Sequence, residues 1–240
     1  MILWQKEKLF RLWLWMFPAF LGLWYFPIID FPARVAAWAV GFLIVTGSLY
    51  YSGKVPLLRW LLVALYLGVM LFLLLPLHKA VDRSALQAGY CHALKAYTGC
   101  RYVWGGEGYL GIDCSGLVRK GMEDALATQG CSTLNPALMR ESLSLYWHDT
   151  SARVMGQGYA GRMRVVTACT SLNQLDYTLV TPGDLAVTEG GDHVLAYLGD
   201  KTWIAADPIA GRVTTFAIPE EKNPYFTTPM RIVRWRLLED

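Results

Sequence analysis

The sequence predicts an α+β domain preceded by a membrane anchor of about three transmembrane helices. Three observations carry this prediction. The 240 residues are 54% hydrophobic and only 17% charged, which is too apolar for an ordinary soluble domain. The apolar excess lies in residues 1–84. From residue 85 onward, one helical pattern is followed by a series of short alternating strands. The chain is therefore divided into an anchor, 1–84, and a globular domain, 85–240.

The anchor contains three apolar stretches without a charged residue, at 12–29, 35–51 and 60–77. Each approaches the roughly 20 residues that a helix needs to cross a bilayer core. Pro18 and Pro27 predict a kink in the first stretch, because proline lacks a backbone donor. No small-residue cleavage site follows this stretch, which argues against a signal peptide. A re-entrant or buried helix remains the alternative for either of the first two stretches.

The distribution of lysine and arginine predicts the orientation of the anchor. More of them lie on the side of the N-terminus, which is then cytoplasmic. An odd number of spans places the globular domain outside, so the expected location is a bacterial inner (plasma) membrane, multi-pass, with a periplasmic or extracytoplasmic domain. The cationic residues of the inner side are Lys6, Lys8, Arg11, Lys54 and Arg59, and those of the outer side are Arg34, Lys79 and Arg83.

A cysteine follows a glycine-rich loop in residues 102–118, YVWGGEGYLGIDCSGLV. Residues 85–97 predict a helix that ends at Gly99, and the run after Cys114 predicts another that ends at Gly130. Cys114 then lies at a helix N-terminus, whose partial positive charge lowers the thiol pKa and whose free N–H groups can hold an oxyanion. The pattern favours a nucleophile over a small buried hydrophobe.

A nucleophilic cysteine needs a base, and His193 is the best-placed histidine. It opens the second of two short strands, 185–187 and 194–198, which a glycine-containing turn joins. Further strands are predicted at 202–206, 212–216 and 231–237. The other histidines are predicted to be structural or solvated: His92 on a helix, His148 at the surface and His78 at the membrane interface.

Several functions lack support in the sequence. The net charge is only +3 and no basic stripe with interleaved aromatics occurs, so nucleic acid is not expected as a partner. No Walker loop, CxxC pair or HExxH motif is present, so no cofactor and no metal are expected. An oxidising compartment would permit disulfides among Cys91, Cys100, Cys131 and Cys169. Three pairings exist; Cys91–Cys100 is the favoured pair, and free thiols are the alternative.

Four motifs together resemble the NlpC/P60 cysteine peptidases of the papain-like superfamily. They read YVWGG from Tyr102, DCSGLV from Asp113, PGDL from Pro182 and HVLAYLG from His193. The resemblance covers residues 85–240. It implies a helix that carries the cysteine, packed on an antiparallel sheet that carries the histidine. It also implies a cysteine endopeptidase or amidase that cleaves peptidoglycan stem peptides, often between γ-D-glutamate and a diamino acid.

The resemblance also assigns roles to residues. Cys114 would be the nucleophile and His193 the general base, while Tyr102, Asp113 and Ser115 would help to bind the free amine of the substrate. Asp113 would equally serve as a helix cap, and the two roles are compatible. Trp104 is interpreted as a packing residue or a wall of the pocket.

One position departs from the family pattern. The family usually orients its base with a polar residue on the next strand, and here Ala205 occupies that position. A neutral imidazole needs its second nitrogen held to keep the correct tautomer. Asp207 lies two residues further and, by strand alternation, faces the same side. We therefore hypothesise that Asp207 orients His193; a backbone carbonyl or a water is the alternative.

The leading interpretation is a membrane-anchored cell-wall hydrolase whose partners are peptidoglycan peptides and the lipid bilayer. Two alternatives stay open. The same fold supports papain-like amidases and lipid acyltransferases. A non-catalytic module would instead bind cell-wall peptides or an envelope or secretion-machine protein, and the missing polar residue at Ala205 would then indicate lost activity. The presence of both Cys114 and His193 argues against the non-catalytic module.

Overall fold

Three long helices form the N-terminal part of the chain. The structure, a computed structural model, describes residues 2–26, 28, 30–77 and 79–239. Helix α1 spans Ile2–Tyr25, α2 spans Phe31–Tyr51 and α3 spans Pro56–Leu74. Helix α1 continues through Pro18, so the proline does not end the helix, and the kink at that residue stays a prediction. The kink at Pro27, the end of the first apolar stretch at Ile29 and the interface role of His78 lie outside the described residues.

Two described helices, α2 and α3, are long and apolar enough to cross a membrane. The prediction of about three such helices is therefore wrong for α1. Its first turns carry Lys8 and Arg11, and the remainder is rich in tryptophan and tyrosine, which prefer the membrane interface. Helix α1 instead packs along α2, where the Trp13 indole N–H donates to the Ile44 carbonyl at 3.2 Å.

Four helices and a six-stranded sheet form the globular part. The helices are α4 at Arg83–Ala96, α5 at Cys114–Ser132, α6 at Pro136–Trp147 and α7 at Ala152–Gly156. Each begins after a residue whose side chain accepts a hydrogen bond from an N–H of the first turn, as helix caps do. These caps are Asp82, Asp113, Asn135 and Ser151.

The large sheet is antiparallel throughout, with the strand order β3-β8-β4-β5-β6-β7. A small hairpin, β1 at Glu107–Gly108 and β2 at Gly111–Ile112, lies in the glycine-rich loop. The large sheet consists of β3 at Met163–Cys169, β4 at Leu185–Thr188, β5 at Val194–Gly199, β6 at Thr202–Asp207, β7 at Arg212–Ala217 and β8 at Met230–Trp235.

Both faces of the sheet are covered. One face packs against α4 and α5 through side chains such as Leu117, Ala196 and Ile204. The other face carries a second core that includes Trp203 and Phe226. Because the central strands are buried on both sides, their sequences are almost continuously apolar. The sheet therefore forms a rigid base on which His193 and Asp207 are held.

The structure confirms the predicted α+β class, with a cysteine-bearing helix against an antiparallel sheet. The five predicted strands and two predicted helices are present, with ends shifted by a few residues. No helix or strand was predicted between residues 130 and 181, but this region contains α6, α7 and β3. All five cysteines are free thiols, so the favoured Cys91–Cys100 pair is not formed.

Candidate active site

Cys114 is the first residue of α5, directly after the cap residue Asp113. The two carboxylate oxygens of Asp113 accept hydrogen bonds from different donors. One accepts hydrogen bonds from the Gly116 N–H at 2.6 Å and the Ser115 hydroxyl at 3.0 Å, and the other accepts from the Gly105 N–H at 2.8 Å. Asp113 thus ties the glycine-rich loop to the start of the helix. This fixes the position of the Cys114 thiol relative to the loop.

His193 immediately precedes β5. Its neighbour Val194, the first residue of β5, belongs to the same core cluster as Cys114, and the Val194 backbone N–H lowers the pKa of the Cys114 thiol. The turn that precedes the histidine is closed by Thr188, whose hydroxyl accepts from the His193 N–H at 3.0 Å and whose N–H donates to the His193 carbonyl at 3.1 Å. The predicted nucleophile and the predicted base are therefore brought together by β5.

The pKa of the Cys114 thiol is raised, not lowered as the helix N-terminus predicted. Burial is the largest cause, the negative charge of Asp113 adds to it, and the pKa reaches about 12. Hydrogen bonds from three backbone N–H groups, including that of Val194, oppose the shift. The helix-end effect is outweighed because the residue is only 5% exposed and stands next to a carboxylate. The resting form of Cys114 at neutral pH is the thiol.

The pKa of His193 is lowered by burial to about 4, and the negative charge of Asp207 opposes this shift. The residue is 1% exposed, and its Nε2 atom is buried without a hydrogen-bond partner among the described residues. The imidazole is therefore neutral at neutral pH and has a free ring nitrogen. A neutral imidazole next to a neutral thiol is the arrangement required for general-base activation.

We expect these two pKa values to control alkylation of Cys114 in the folded protein. Reaction with iodoacetamide should be slow at pH 7 and accelerate continuously up to pH 10, since the thiolate is the reacting form. Mass spectrometry of the labelled peptides measures the rate, and the exposed Cys131 provides an internal reference. Fast, pH-independent alkylation between pH 6 and pH 8 would contradict the neutral pair.

Asp207 is the last residue of β6 and is completely buried. The register pairs Ala196 with Ile204, and its continuation places Asp207 across from His193. One carboxylate oxygen of Asp207 accepts from the N–H groups of Ile209 at 2.6 Å and Ala210 at 2.8 Å. The other accepts from the side-chain amide of Asn223. Asp207 thus acts on His193 through its charge, while Nε2 of the imidazole stays unpartnered.

Two residues near the base were not predicted from the sequence. Asn223 is buried and binds Asp207, as described above. The Tyr225 ring stacks on the His193 imidazole, with ring centroids 4.0 Å apart and an angle of 22° between the planes. The Asn223-Pro224 pair predicts a turn. Nothing in the local sequence indicates that this turn folds over the histidine.

The predicted substrate-binding residues surround the same point. Tyr102 is half-buried, and its pKa is raised first by burial and then by the nearby negative charges of Cys114, Asp113, Tyr225 and Asp207 in their ionised forms. The hydroxyl of Tyr102 therefore faces the site. Asp113 and Ser115 flank the sulfur at the start of α5.

The remaining residues singled out in the sequence are exposed. The Trp104 ring is 77% exposed. His148 ends α6, with its Nδ1 atom 2.7 Å from the Ser144 carbonyl oxygen. His92 is exposed on α4. The exposure of His148 agrees with the surface position predicted for it, whereas an exposed Trp104 is not the packing residue that was predicted.

A cysteine at a helix N-terminus, packed against the start of a strand that directly follows a histidine, is typical of sites in which cysteine is the nucleophile. The NlpC/P60 family model matches residues 99–234, which include every residue of this site. The chain therefore belongs to the NlpC/P60 family, whose members are cysteine peptidases and amidases that act on peptidoglycan. Among curated proteins, no sequence matches the chain.

Solved structures with a similar fold share little sequence with the chain. The P60 domain of an antigen from M. avium subspecies paratuberculosis is 22% identical, covers 67% of this chain and 100% of its own, and has a TM-score of 0.41. The peptidoglycan hydrolase RipB from Mycobacterium tuberculosis is 18% identical, with 88% and 87% covered and a TM-score of 0.42. NlpC1 from Trichomonas vaginalis is 18% identical with a TM-score of 0.43; the match covers 65% of this chain and spans 46% of that protein.

Proposed function

We propose that the protein is a membrane-anchored cysteine hydrolase that cleaves an amide bond in peptidoglycan stem peptides. The observation that carries the proposal is the packing of Cys114, the first residue of α5, with Val194, the residue that follows His193, whose imidazole is buried with a pKa lowered to about 4. Membership of the NlpC/P60 family supports the class of substrate. Within that class, the bond between γ-D-glutamate and a diamino acid is the proposed target.

The proposed reaction proceeds through an acyl-enzyme. His193 removes the thiol proton as the Cys114 sulfur attacks the amide carbonyl carbon, and the carbonyl electrons move to the oxygen. The backbone N–H groups of Cys114 and Ser115, which lie at the N-terminus of α5 and lower the thiol pKa, are the proposed donors for that oxyanion. Collapse breaks the C–N bond, and His193 gives its proton to the leaving amine. Water then hydrolyses the thioester, and the proton returns to the thiol.

The proposed recognition of the substrate rests on Tyr102, Asp113 and Ser115. Asp113 keeps its negative charge close enough to Cys114 to raise the thiol pKa. A carboxylate in this position would attract the free amine of a stem peptide, and the Tyr102 hydroxyl would accept a hydrogen bond from the same ammonium. The Ser115 hydroxyl holds the Asp113 carboxylate in place.

Asp207 is proposed to raise the basicity of His193 through its charge. We expect Asp207→Asn to lower kcat/KM about tenfold, because the imidazolium that forms during attack loses about 1.4 kcal/mol of stabilisation. The charge of Asp207 also determines the direction in which the pH profile of kcat/KM should move. Asp207 opposes the burial that lowers the His193 pKa, so its removal should move the acid limb of the kcat/KM profile below its wild-type position near pH 4.

A matched control for this change is Asp200→Asn, since Asp200 is exposed in the turn between β5 and β6. Asparagine tolerates the left-handed backbone at that position. The pH profile of the control should equal that of the wild type. An Asp207→Asn enzyme with an unchanged acid limb and unchanged turnover would exclude the proposed role.

The anchor is proposed to hold the domain on the outer side of the inner (plasma) membrane. Helix α2 begins at the domain and α3 ends there, where Arg140 Nη1 donates to the carbonyls of Leu73 at 2.9 Å and Leu75 at 2.7 Å. The connection between α2 and α3 lies at the other end of these two helices, and the sequence there carries Lys54 and Arg59. That end suits the cytoplasm by the positive-inside rule. Resistance of the domain to protease added outside spheroplasts would contradict this topology.

The experiment that tests the proposed activity is a digestion with the full chain in detergent micelles. Purified peptidoglycan fragments serve as substrate, and mass spectrometry identifies the new termini. We expect a new amine on the diamino acid and a new carboxylate on the preceding residue. Intact fragments after prolonged incubation with a folded protein would exclude peptidoglycan hydrolysis by the isolated chain. Transfer of an acyl group to an added amine or lipid would instead favour the acyltransferase alternative.

A further inference from the structure

A buried cluster of three charged side chains joins the membrane anchor to the active-site loop. Arg34, in the first turn of α2, is 1% exposed and donates from one nitrogen to both carboxylate oxygens of Glu107 at 2.6 Å. Arg119, in α5, is completely buried and pairs with the same carboxylate. The sequence analysis placed Arg34 in a loop outside the membrane. The structure instead places it inside the contact between α2 and the domain.

Both arginines are held by further contacts. Arg34 also donates to the Tyr146 carbonyl, and Arg119 donates to the Leu145 carbonyl at 2.8 Å. These carbonyls belong to the last turn of α6. The cluster therefore fixes α2, α5, α6 and the glycine-rich loop relative to one another. Arginine suits this task because its planar fork makes several directed hydrogen bonds at once.

Glu107 is close to the nucleophile along the chain and in space. It follows Gly106, whose carbonyl accepts from the Asp113 N–H at 3.0 Å, and Gly106 forms an isolated bridge with Ile28 before α2. Gly106 has no room for a side chain, since a Cβ there would overlap the backbone of the opposite strand of the hairpin. A shift of Glu107 would therefore be transmitted to Asp113 and to the start of α5.

A second connection between the anchor and Cys114 runs through α5. Arg119 lies five residues after Cys114 in the same helix, so the carboxylate of Glu107 is bound both to the anchor and to the catalytic helix. Burial raises the pKa of Glu107, and the two guanidinium groups oppose that shift. Removing one partner from a buried ion cluster leaves charge without its full compensation, so the remaining groups move or admit water.

We propose that Arg34 is a positioning residue for the active site. Acting through Glu107, Arg34 holds the 105–108 loop and the start of α5 in the relative positions that catalysis requires. Helix α2 is therefore part of the catalytic unit as well as an anchor. The inference rests on the proposed function of Cys114 and His193. It assigns a task to the membrane helix that anchoring alone does not require.

The test compares three variants of the full chain in detergent micelles. Arg34→Met removes the charge and keeps most of the length of the side chain. Arg34→Lys keeps the charge but loses the fork. Arg140→Met is the matched control, because Arg140 also joins the domain to a membrane helix but donates to carbonyls at the C-terminal end of α3, Leu73 and Leu75, and not to the loop. Each variant is measured for kcat/KM on peptidoglycan fragments, for the rate of Cys114 alkylation, and for Tm.

We expect Arg34→Met to lower kcat/KM about tenfold, since small displacements of a catalytic group cost up to about 10²-fold. Its alkylation rate should differ from that of the wild type by about threefold or more, because the environment that sets the thiol pKa changes. The kcat/KM and the alkylation rate of Arg34→Lys should lie between those of the wild type and those of Arg34→Met. Arg140→Met should stay within about twofold of the wild type in both measurements.

Two outcomes would overturn the inference. One is a folded Arg34→Met protein with wild-type turnover and alkylation. The other is an equal loss in Arg34→Met and Arg140→Met, which would indicate anchoring alone. Should Arg34→Met fail to fold, an Arg34→Lys protein equal to the wild type has the same meaning. Alkylation needs no substrate, so a wild-type protein that cleaves nothing would refute the proposed function while the alkylation rates still decide the role of Arg34.

Discussion

Cys114→Ala is expected to abolish release of peptide products, with kcat at least about 10⁴-fold lower, the scale seen when the nucleophile of a covalent mechanism is removed. The sulfur is the atom that forms and breaks the acyl bond in the proposed reaction, and alanine offers no replacement. The fold should persist, because the cap hydrogen bonds of α5 come from Asp113 and from the backbone. The expected change in the free energy of unfolding is within about 1 kcal/mol.

Cys91→Ala is the matched control for this experiment. Cys91 is also buried, but it lies on α4, away from His193. Its replacement should leave kcat within about twofold of the wild type. Mass spectrometry of digested peptidoglycan fragments reads both variants, and circular dichroism verifies that they are folded. Products that persist with Cys114→Ala would assign the chemistry to another group and refute the nucleophile.

His193→Gln is expected to lower kcat about 10³-fold, within the range of about 10² to 10⁴ that a general base contributes. The thiol pKa is raised to about 12 by burial, so without a base almost no thiolate forms at pH 7. The turn before β5 should survive, because Thr188 binds the backbone N–H and carbonyl of His193, not its ring.

The turnover of His193→Gln should depend on pH differently from that of the wild type. The wild type should keep its activity as the pH falls towards 4, where His193 becomes protonated. His193→Gln should lose that acid limb, and its residual rate should rise continuously with pH as the thiolate forms. His92→Gln, on the exposed face of α4, is the control. A His193→Gln enzyme that retains the wild-type profile would exclude His193 as the base.

The features that local sequence patterns determine were predicted. The strands that carry His193 and Asp207 are short apolar runs between turns, and the helix of Cys114 begins after a cap residue and a glycine-rich loop. Features that depend on distant contacts were not predicted. Asn223 reaches Asp207 across sixteen positions of the chain, and Arg34 reaches Glu107 across seventy-three.

The prediction that the pKa of the Cys114 thiol is lowered was wrong for the same reason. The effect of a helix N-terminus can be inferred from neighbouring residues, but burial of Cys114 is produced by packing of α5 against β5, which only the folded chain shows. Helix α6 was not predicted because the face that it buries is set by its packing against α5, a distant contact. Strand β3 was not predicted because it lies at the edge of the sheet, and its residues do not alternate regularly between buried and exposed.

The position of β8 has a consequence for the order in which the molecule is made. Met230–Trp235 is the last strand in the chain but lies between β3 and β4, and Arg234 within it pairs with Asp184 at 2.6 Å. A nascent chain synthesised only as far as residue 229 already contains Cys114, His193 and Asp207, but β3 and β4 have no strand between them. Strand β4 therefore has an unpaired edge until β8 has been synthesised, and the sheet beneath His193 and Asp207 is completed only then.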